Sequence, residues 1–438
     1  MNKQMFVAAL LSTALAAAGA QASGFNLREQ SAAGVALSTA GAGVEASAAG
    51  QFTNPATLGL IGRPNQIQAG GSAYALHSEF QNAGTTQGPV PVGGPNASTD
   101  PVLAAPFGYY ARDLGNGLHA GLGLYSMFGL TTDYDSNWVG RYQALKSRLT
   151  TFDIAPSVAY EVNDAFTVGA ALVARYSDAN LTSAINTGGL LTGVLGAGAN
   201  QAFDTRAKVT GDDWGFGYKL GLTWKPQPAT VLGLSYISQV HSTLKGDVGF
   251  DYARTGVPAL DAGIRAALPA GGVTAEVTYP EQVSLSGSHK VNERLTLLGD
   301  VTWTNWSRFD ELRVVRSGGT TLSLTRENWD DVWRVAVGAT YDVTPALQLR
   351  LGASYDGDPI PDAEHVTARL PDGARYWLSA GIGYAVTDSL QLNLGYAHLF
   401  IDDARANHTD PLGAGGTLRG TFKDSSADIL TADVVFSF

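Results

Sequence analysis

The feature that most constrains this chain is an alternation of apolar with polar or small residues. It is renewed in segment after segment from about residue 65 to the last residue. Successive side chains of a strand point to opposite faces, so each segment has one oily side and one polar or small side. From Phe166 the even positions read Phe166, Val168, Ala170, Leu172, Ala174 and Tyr176, with Thr167, Gly169 and Arg175 between them. Leu347, Leu349, Leu351, Ala353 and Tyr355 alternate with Gln348, Arg350, Gly352 and Ser354. Leu390, Leu392, Leu394 and Tyr396 alternate with Gln391, Asn393 and Gly395.

A soluble β-sandwich shows the same alternation with its oily face turned inward, and three features favour the membrane instead. Aromatic residues such as Tyr176, Tyr355, Tyr396 and Phe400 fall near strand ends, where interfacial girdles sit. Very short turns (Glu161 to Ala165, Thr344 to Ala346) alternate with long segments near 180–210 and 250–275, as periplasmic turns alternate with outer loops. The last strand carries Leu430, Ala432, Val434, Phe436 and a terminal Phe438 on one face, which resembles the signal read by the barrel assembly machinery. The expected fold is all-β: a transmembrane antiparallel β-barrel of about 14 strands over residues 65–438. Closure is a physical demand, because an open sheet edge in hydrocarbon strands its N–H and C=O groups.

The start of the chain has a different character. Lys3 precedes an apolar run from Phe6 to Ala18, and Ala20-Gln21-Ala22 fits a cleavage site, so residues 1–22 are expected to be a signal peptide and Ser23 the mature N-terminus. That run is too short to anchor the chain by spanning a bilayer. Residues 23–64 do not alternate and are rich in Ala, Gly and Ser, as in Gly41–Gly50, before reaching Asn54-Pro55-Ala56. Composition leaves two readings open, a flexible leader or a small plug packed inside the barrel. No cysteine is present, which removes disulfides and thiolate metal sites, and a net charge of -11 argues against a nucleic-acid partner.

Several landmarks occur in an order that resembles one family. They are Ser23-Gly24-Phe25-Asn26-Leu27, Asn54-Pro55-Ala56, the run Gly211–Tyr218, Trp303-Thr304-Asn305-Trp306-Ser307-Arg308-Phe309, Asp358-Pro359-Ile360-Pro361-Asp362, and Arg375–Gly381. Together they resemble the long-chain fatty acid transporter family (FadL-type), which includes toluene-transporting members. The resemblance implies a 14-stranded barrel with residues 23–64 as an N-terminal hatch inside the lumen. It implies that ligand lands in an apolar groove of two outer loops, passes to an inner pocket, and leaves sideways through the wall. That exit lies where a kinked third strand faces the hatch motif.

Candidate residues follow from this scheme. Leu190, Leu191, Val194 and Leu195 fall at helical spacing in one long segment, and Leu260, Ile264 and Leu268 in another, between Pro258 and Pro269. These stripes either cover a ligand or pack on each other and cap the barrel. Phe25 is an expected apolar ligand contact. The expected gate pairs Phe128-Gly129, at the third-strand kink, with Asn54, Pro55 and Ala56. Two positions where the family places basic side chains for a carboxylate are Ser183 and Thr325 here. Arg326 is the substitute candidate, unless it pairs with Glu327 or Asp330 on the surface; Arg313 and Arg334 lie in the same region.

The expected function is passive uptake of long-chain fatty acids, with uncharged hydrocarbons such as monoaromatics as the rival substrate of the same route. A lipid hydrolase would need a nucleophile–base pair, yet the 7 histidines, including His77, His119, His289 and His398, accompany no G-x-S-x-G or H-E-x-x-H pattern. A general porin would leave its lumen open. No enzyme activity, cofactor or metal is expected. Beyond the ligand, the partners expected are outer-membrane lipid, lipopolysaccharide and, during biogenesis, the assembly machinery.

Overall fold

The computed structural model describes residues 24–87, 90–191 and 201–438. The signal segment, Ser23, Val194 and Leu195 lie outside the described residues. The alternating segments become fourteen strands, each antiparallel to its chain neighbours. In order they are β1 (Asn65–Asn82), β2 (Val102–Gly115), β3 (Leu118–Tyr125 and Gly129–Asp133), β4 (Lys146–Glu161), β5 (Phe166–Ile185), β6 (Thr205–Gln227) and β7 (Thr230–Ile237 and Val240–Asp251). The second half comprises β8 (Gly271–Tyr279 and Gln282–Lys290), β9 (Leu295–Thr304 and Glu311–Arg316), β10 (Thr321–Arg326 and Val332–Asp342), β11 (Leu347–Asp356), β12 (Arg375–Ala385), β13 (Leu390–Ile401 and Ala404–Thr409) and β14 (Thr417–Ser437). β14 pairs with β1 from Gln66↔Ser437 to Asn82↔Gly420, closing the barrel and removing both sheet edges.

Alternation sets which face meets lipid. On β5 and β6 Val168, Leu172, Phe216 and Leu220 point outward and are exposed, while Thr167, Val173, Arg175 and Lys219 point inward and are buried. Phe166 and Trp224 stack at one end of this pair, and Tyr176 and Trp214 pack at 5.4 Å at the other. Ten residues separate Phe166 from Tyr176 along β5. At ~3.3 Å per residue and a tilt of ~40°, that is a band ~25 Å tall, the height of a membrane's apolar layer crossed by a barrel. Among the described residues no helix is long and apolar enough to cross. The strands therefore form the crossing.

Residues 24–64 precede β1 and fill the lumen. Their short elements are α1 (Ala32–Ala36) and 3-10 turns at Ala42–Val44, Ala48–Phe52 and Pro55–Leu60. Inward polar side chains of the barrel satisfy the hatch backbone. Ala32 N donates to Asp433 Oδ2 at 2.7 Å, Ala48 N to Gln66 Oε1 at 2.6 Å, and Ala49 N to Gln68 Oε1 at 3.0 Å. Ser38 and Thr39 take left-handed conformations after α1, with φ 48 and 60, and Arg334 donates to Ser38 O at 2.7 Å and to Thr39 Oγ1. Buried backbone groups need such partners, so the wall and the hatch specify each other.

Asn54 shows the same fit at its closest. Its side chain caps the Pro55–Leu60 turn by accepting from Ala56 N at 3.0 Å, and donates to Gly43 O at 2.8 Å and Leu222 O at 3.1 Å. The turn presses on the wall where β5 and β6 carry Gly169 and Gly221. A Cβ at Gly221 would lie 1.8 Å from Asn54 Oδ1, and one at Gly169 would lie 2.4 Å from Ala56 N. Only glycine leaves room for this approach.

Candidate transport route

The barrel wall is interrupted at β3. Between Tyr125 and Gly129 the chain leaves the ladder, and the outer piece Gly129–Asp133 pairs with β4 alone. β2 pairs with β3 only from Gly108↔Leu124 to Gly115↔Leu118. Among the described residues no ladder therefore joins Val102–Phe107 to Gly129–Asp133. A cavity of about 610 Å³ opens there, lined by Val102, Ala104, Phe128, Gly129, Leu130 and Leu149 among others. Irregular backbone at membrane depth survives only if its polar groups find partners in the protein. Here they do: Ser126 O accepts from Gln30 Nε2 at 2.7 Å, and Met127 O from Leu27 N at 2.8 Å. Thr151 Oγ1 donates to Phe128 O at 2.7 Å and accepts from Phe128 N at 3.0 Å, while Gly129 N donates to Phe25 O at 3.0 Å.

The kink's partner is therefore the N-terminal segment Phe25–Leu27, and this corrects the expected pairing of Phe128 and Gly129 with Asn54, Pro55 and Ala56. The Asn54–Ala56 turn sits instead on Gly169 and Gly221, where its hydrogen bonds and close contacts lie. A Cβ at Gly129 would meet Leu27 Cδ1 at 2.8 Å. Phe128 points inward, its ring 5.8 Å from Phe25 and 4.8 Å from Tyr279, and Arg175 lies over its face at 4.6 Å. Arg175 is itself fixed by a two-pronged bond to Asp153, at 2.8 and 2.6 Å.

Inward of the opening, a chamber lined by Phe25, Leu27, Tyr74, Leu103 and Leu130 shares Leu27, Leu103 and Gly129 with it. Phe25, Leu130 and Leu370 in turn divide this chamber from a pocket walled by Leu181, Val209, Leu244, Val277 and Leu312, which is almost wholly apolar. Phe25 is buried in a collar of Phe128, Tyr279, Trp306, Phe309 and Trp329, with ring separations of 4.9 to 6.4 Å. Beyond the pocket lies a vestibule on the outer side, sharing Leu181, Val209, Val314 and Arg369 with it. Vestibule, pocket, chamber and wall opening thus adjoin in series.

Ser183 and Thr325 both line the vestibule, so the two positions marked for basic side chains do converge. Arg326 does not join them, which corrects the expectation for it: it is exposed, lines no vestibule wall and lies opposite Glu311. The arginine that lines both pocket and vestibule is Arg369, from the irregular segment between β11 and β12, which the sequence reading missed; Arg148 lines the pocket and the wall opening. Burial lowers its guanidinium to about 10. Glu327 nearby is fully buried, and burial raises its carboxyl to about 8. Of the outer stripes, a helix forms over Pro258–Ala267 with Ile264 buried and Leu260 half-buried, and Leu268 lines the vestibule. Leu190 ends a short helix at Thr187–Leu190 and Leu191 is half-buried beyond it.

A closed barrel with a filled lumen, a breach in its wall and apolar cavities leading to it defines an outer-membrane channel for hydrophobic compounds. Comparison with known proteins agrees. The model of the family described as outer membrane protein transport protein (OMPP1/FadL/TodX) matches residues 13–438, and the chain belongs to that family. The 47 kDa outer membrane protein of Pasteurella multocida is 33% identical over 90% of this chain and 91% of its own. The long-chain fatty acid transport protein of Escherichia coli K12 is 27% identical, over 93% and 94%. Among solved structures, a Pseudomonas aeruginosa FadL homologue superposes with a TM-score of 0.85 at 23% identity, covering 95% of this chain and all of the other. The P. putida toluene transporter TodX gives 0.72 at 19%, over 93% and 98%. The protein is a transporter of hydrophobic compounds in the outer membrane of a Gram-negative bacterium, and the family's members are channels, not enzymes.

Proposed function

We propose that this protein mediates passive uptake of long-chain fatty acids. The ligand enters the vestibule, passes tail-inward through the apolar pocket and past Phe25, and leaves through the β3 breach into the membrane. The observation that carries this reading is the series of adjoining cavities, narrow and apolar in the middle, that ends at the wall and not at the periplasmic floor. A narrow apolar path suits an extended alkyl chain, and burial of that chain, at about 25 cal/mol per Å², draws it inward. Uptake of monoaromatic hydrocarbons is the second reading. It is favoured by the aromatic collar around Phe25 and by the uncharged side chains at Ser183 and Thr325. On either reading the Asn54–Ala56 turn serves the gate indirectly, by holding the hatch that carries Phe25, and lipid and lipopolysaccharide surround the girdled wall. The test is labelled oleate uptake by a strain lacking its own fatty acid channel. Uptake above background supports the first reading. Assembled protein that carries toluene and no oleate would replace it with the second.

A further inference from the structure

We propose that Arg369 selects carboxylate-bearing ligands, holding the headgroup where the vestibule meets the apolar pocket while the alkyl chain lies inward towards Phe25. The inference rests on the uptake reading and adds to it the residue that separates an acid from a neutral hydrocarbon. Three observations support it. Arg369 lines both cavities, so its head stands at their junction. It is half-buried, yet among the described residues its hydrogen bond is a single long one, Nη1 to Ser147 Oγ at 3.3 Å. Among the described residues no carboxylate stands at ion-pair distance from it, whereas Arg175, Arg375 and Arg141 are committed to Asp153, Asp372 and Asp204. Arg148, the other arginine that lines the pocket, is exposed and donates to Thr150 Oγ1 at 3.3 Å.

A guanidinium offers five donors in a fork that fits a carboxylate with two parallel bonds. Bringing a bare carboxylate to an apolar pocket is costly, and pairing it with a guanidinium at the rim offsets that cost. A neutral ligand gains nothing from the pairing. The acidic groups that act on Arg369 are Glu327 and Asp410. Burial keeps the Glu327 carboxyl protonated near neutrality. Asp410 is occupied by its own turn, accepting from Leu412 N at 3.0 Å and from Gly415 N at 2.6 Å. Among the described residues, therefore, no fixed anion claims the positive charge of Arg369. Ser183 and Thr325, on the same cavity, leave room for a headgroup where a longer basic side chain would compete.

The test compares oleate with oleyl alcohol in equilibrium binding to the purified protein in maltoside micelles, for wild type, Arg369→Met and Arg369→Lys. Gel heat-modifiability verifies that each variant is folded. Arg369→Met is expected to weaken oleate binding about tenfold or more, the loss of one charge-assisted pair, and to leave oleyl alcohol within about twofold. Arg369→Lys should recover part of the oleate affinity. A second measurement needs no variant: the carboxyl resonance of carboxyl-labelled oleate bound to wild type should stay ionised well below the pH at which it protonates in micelles alone. Equal losses for both ligands in Arg369→Met, or a bound carboxyl that protonates as it does in micelles, would overturn the assignment. Wild type that binds neither ligand would instead sink the uptake reading on which it rests.

Discussion

Gly221→Ala gives the sharpest test of how the hatch is held. The added Cβ would lie 1.8 Å from Asn54 Oδ1 and 3.0 Å from Asn54 Cγ, so the Asn54 side chain has to leave its seat. In leaving, it gives up its bonds to Gly43 O and Leu222 O and its cap on Ala56 N, all made in a fully buried place. Buried groups left without partners cost roughly 1–3 kcal/mol each, so with three such groups the hatch should lose on the order of 3–9 kcal/mol. The wall should not notice: Gly221 pairs with Gly169 and Ser235 through backbone alone. Hydrogen exchange is the assay, because local opening is read amide by amide. Amides of residues 43–57 should exchange at least about 100-fold faster, at one decade per 1.4 kcal/mol, while those of β5 and β6 stay protected. Asn54→Ala should do much the same, and the double variant should add little, since both changes remove one interaction. Unchanged exchange in residues 43–57, or a double variant that sums the two effects, would refute the account.

Further outcomes follow from the same geometry. Gly129→Val places atoms against Leu27, from a starting Cβ distance of 2.8 Å, at the edge of the breach; oleate uptake should fall several-fold with surface assembly unchanged, and full uptake would place the exit elsewhere. Arg175→Met strands the fully buried Asp153 and should cost about 3–5 kcal/mol in denaturant unfolding from lipid vesicles, much of it recovered by adding Asp153→Leu. Glu327 has its folded pKa raised to about 8 from an ordinary 4.5, so the folded state holds the proton more tightly and loses stability as pH rises from about 4.5 to about 8. Glu327→Gln should therefore melt like wild type at pH 5 and above it at pH 9, and parallel melting curves across that range would contradict the burial argument.

The period of two made the barrel legible: outward Leu172 and Phe216, inward Thr167 and Arg175 all follow from strand parity. Parity did not settle Arg326, because Leu324 on its own face and Thr325 on the other both line the vestibule. Where backbone is irregular, parity says nothing. Arg369 lies between β11 and β12, where no spacing tells which way a side chain points, and its role emerges only when the segment folds over the pocket. Gly129 stood out as a kink, yet its partner was hidden, since the bonds Gly129 N to Phe25 O and Leu27 N to Met127 O join positions about a hundred residues apart. Gly169 and Gly221, the seats of Asn54 and Ala56, carry no local mark among 53 glycines.

The polar character of the hatch interface supplies a physical reason for the proposed sideways exit. Below the aromatic collar the route straight down is filled by side chains that bind hatch backbone or one another, including Gln66, Gln68, Asp433 and the Arg175–Asp153 pair. An alkyl chain pushed through that layer gives up about 0.8 kcal/mol for each methylene it takes out of apolar surroundings, on the order of 10 kcal/mol for a dozen. It would also have to part hydrogen bonds that hold the hatch. On the proposed route the chain leaves instead between Val102–Phe107 and Gly129–Asp133, where among the described residues no ladder has to part. The carboxylate is the part that resists this step, since release requires it to leave Arg369. Hold at Arg369 and exit at β3 therefore oppose each other. The Arg369→Met channel should lose selectivity for acids over neutral chains before it loses transport.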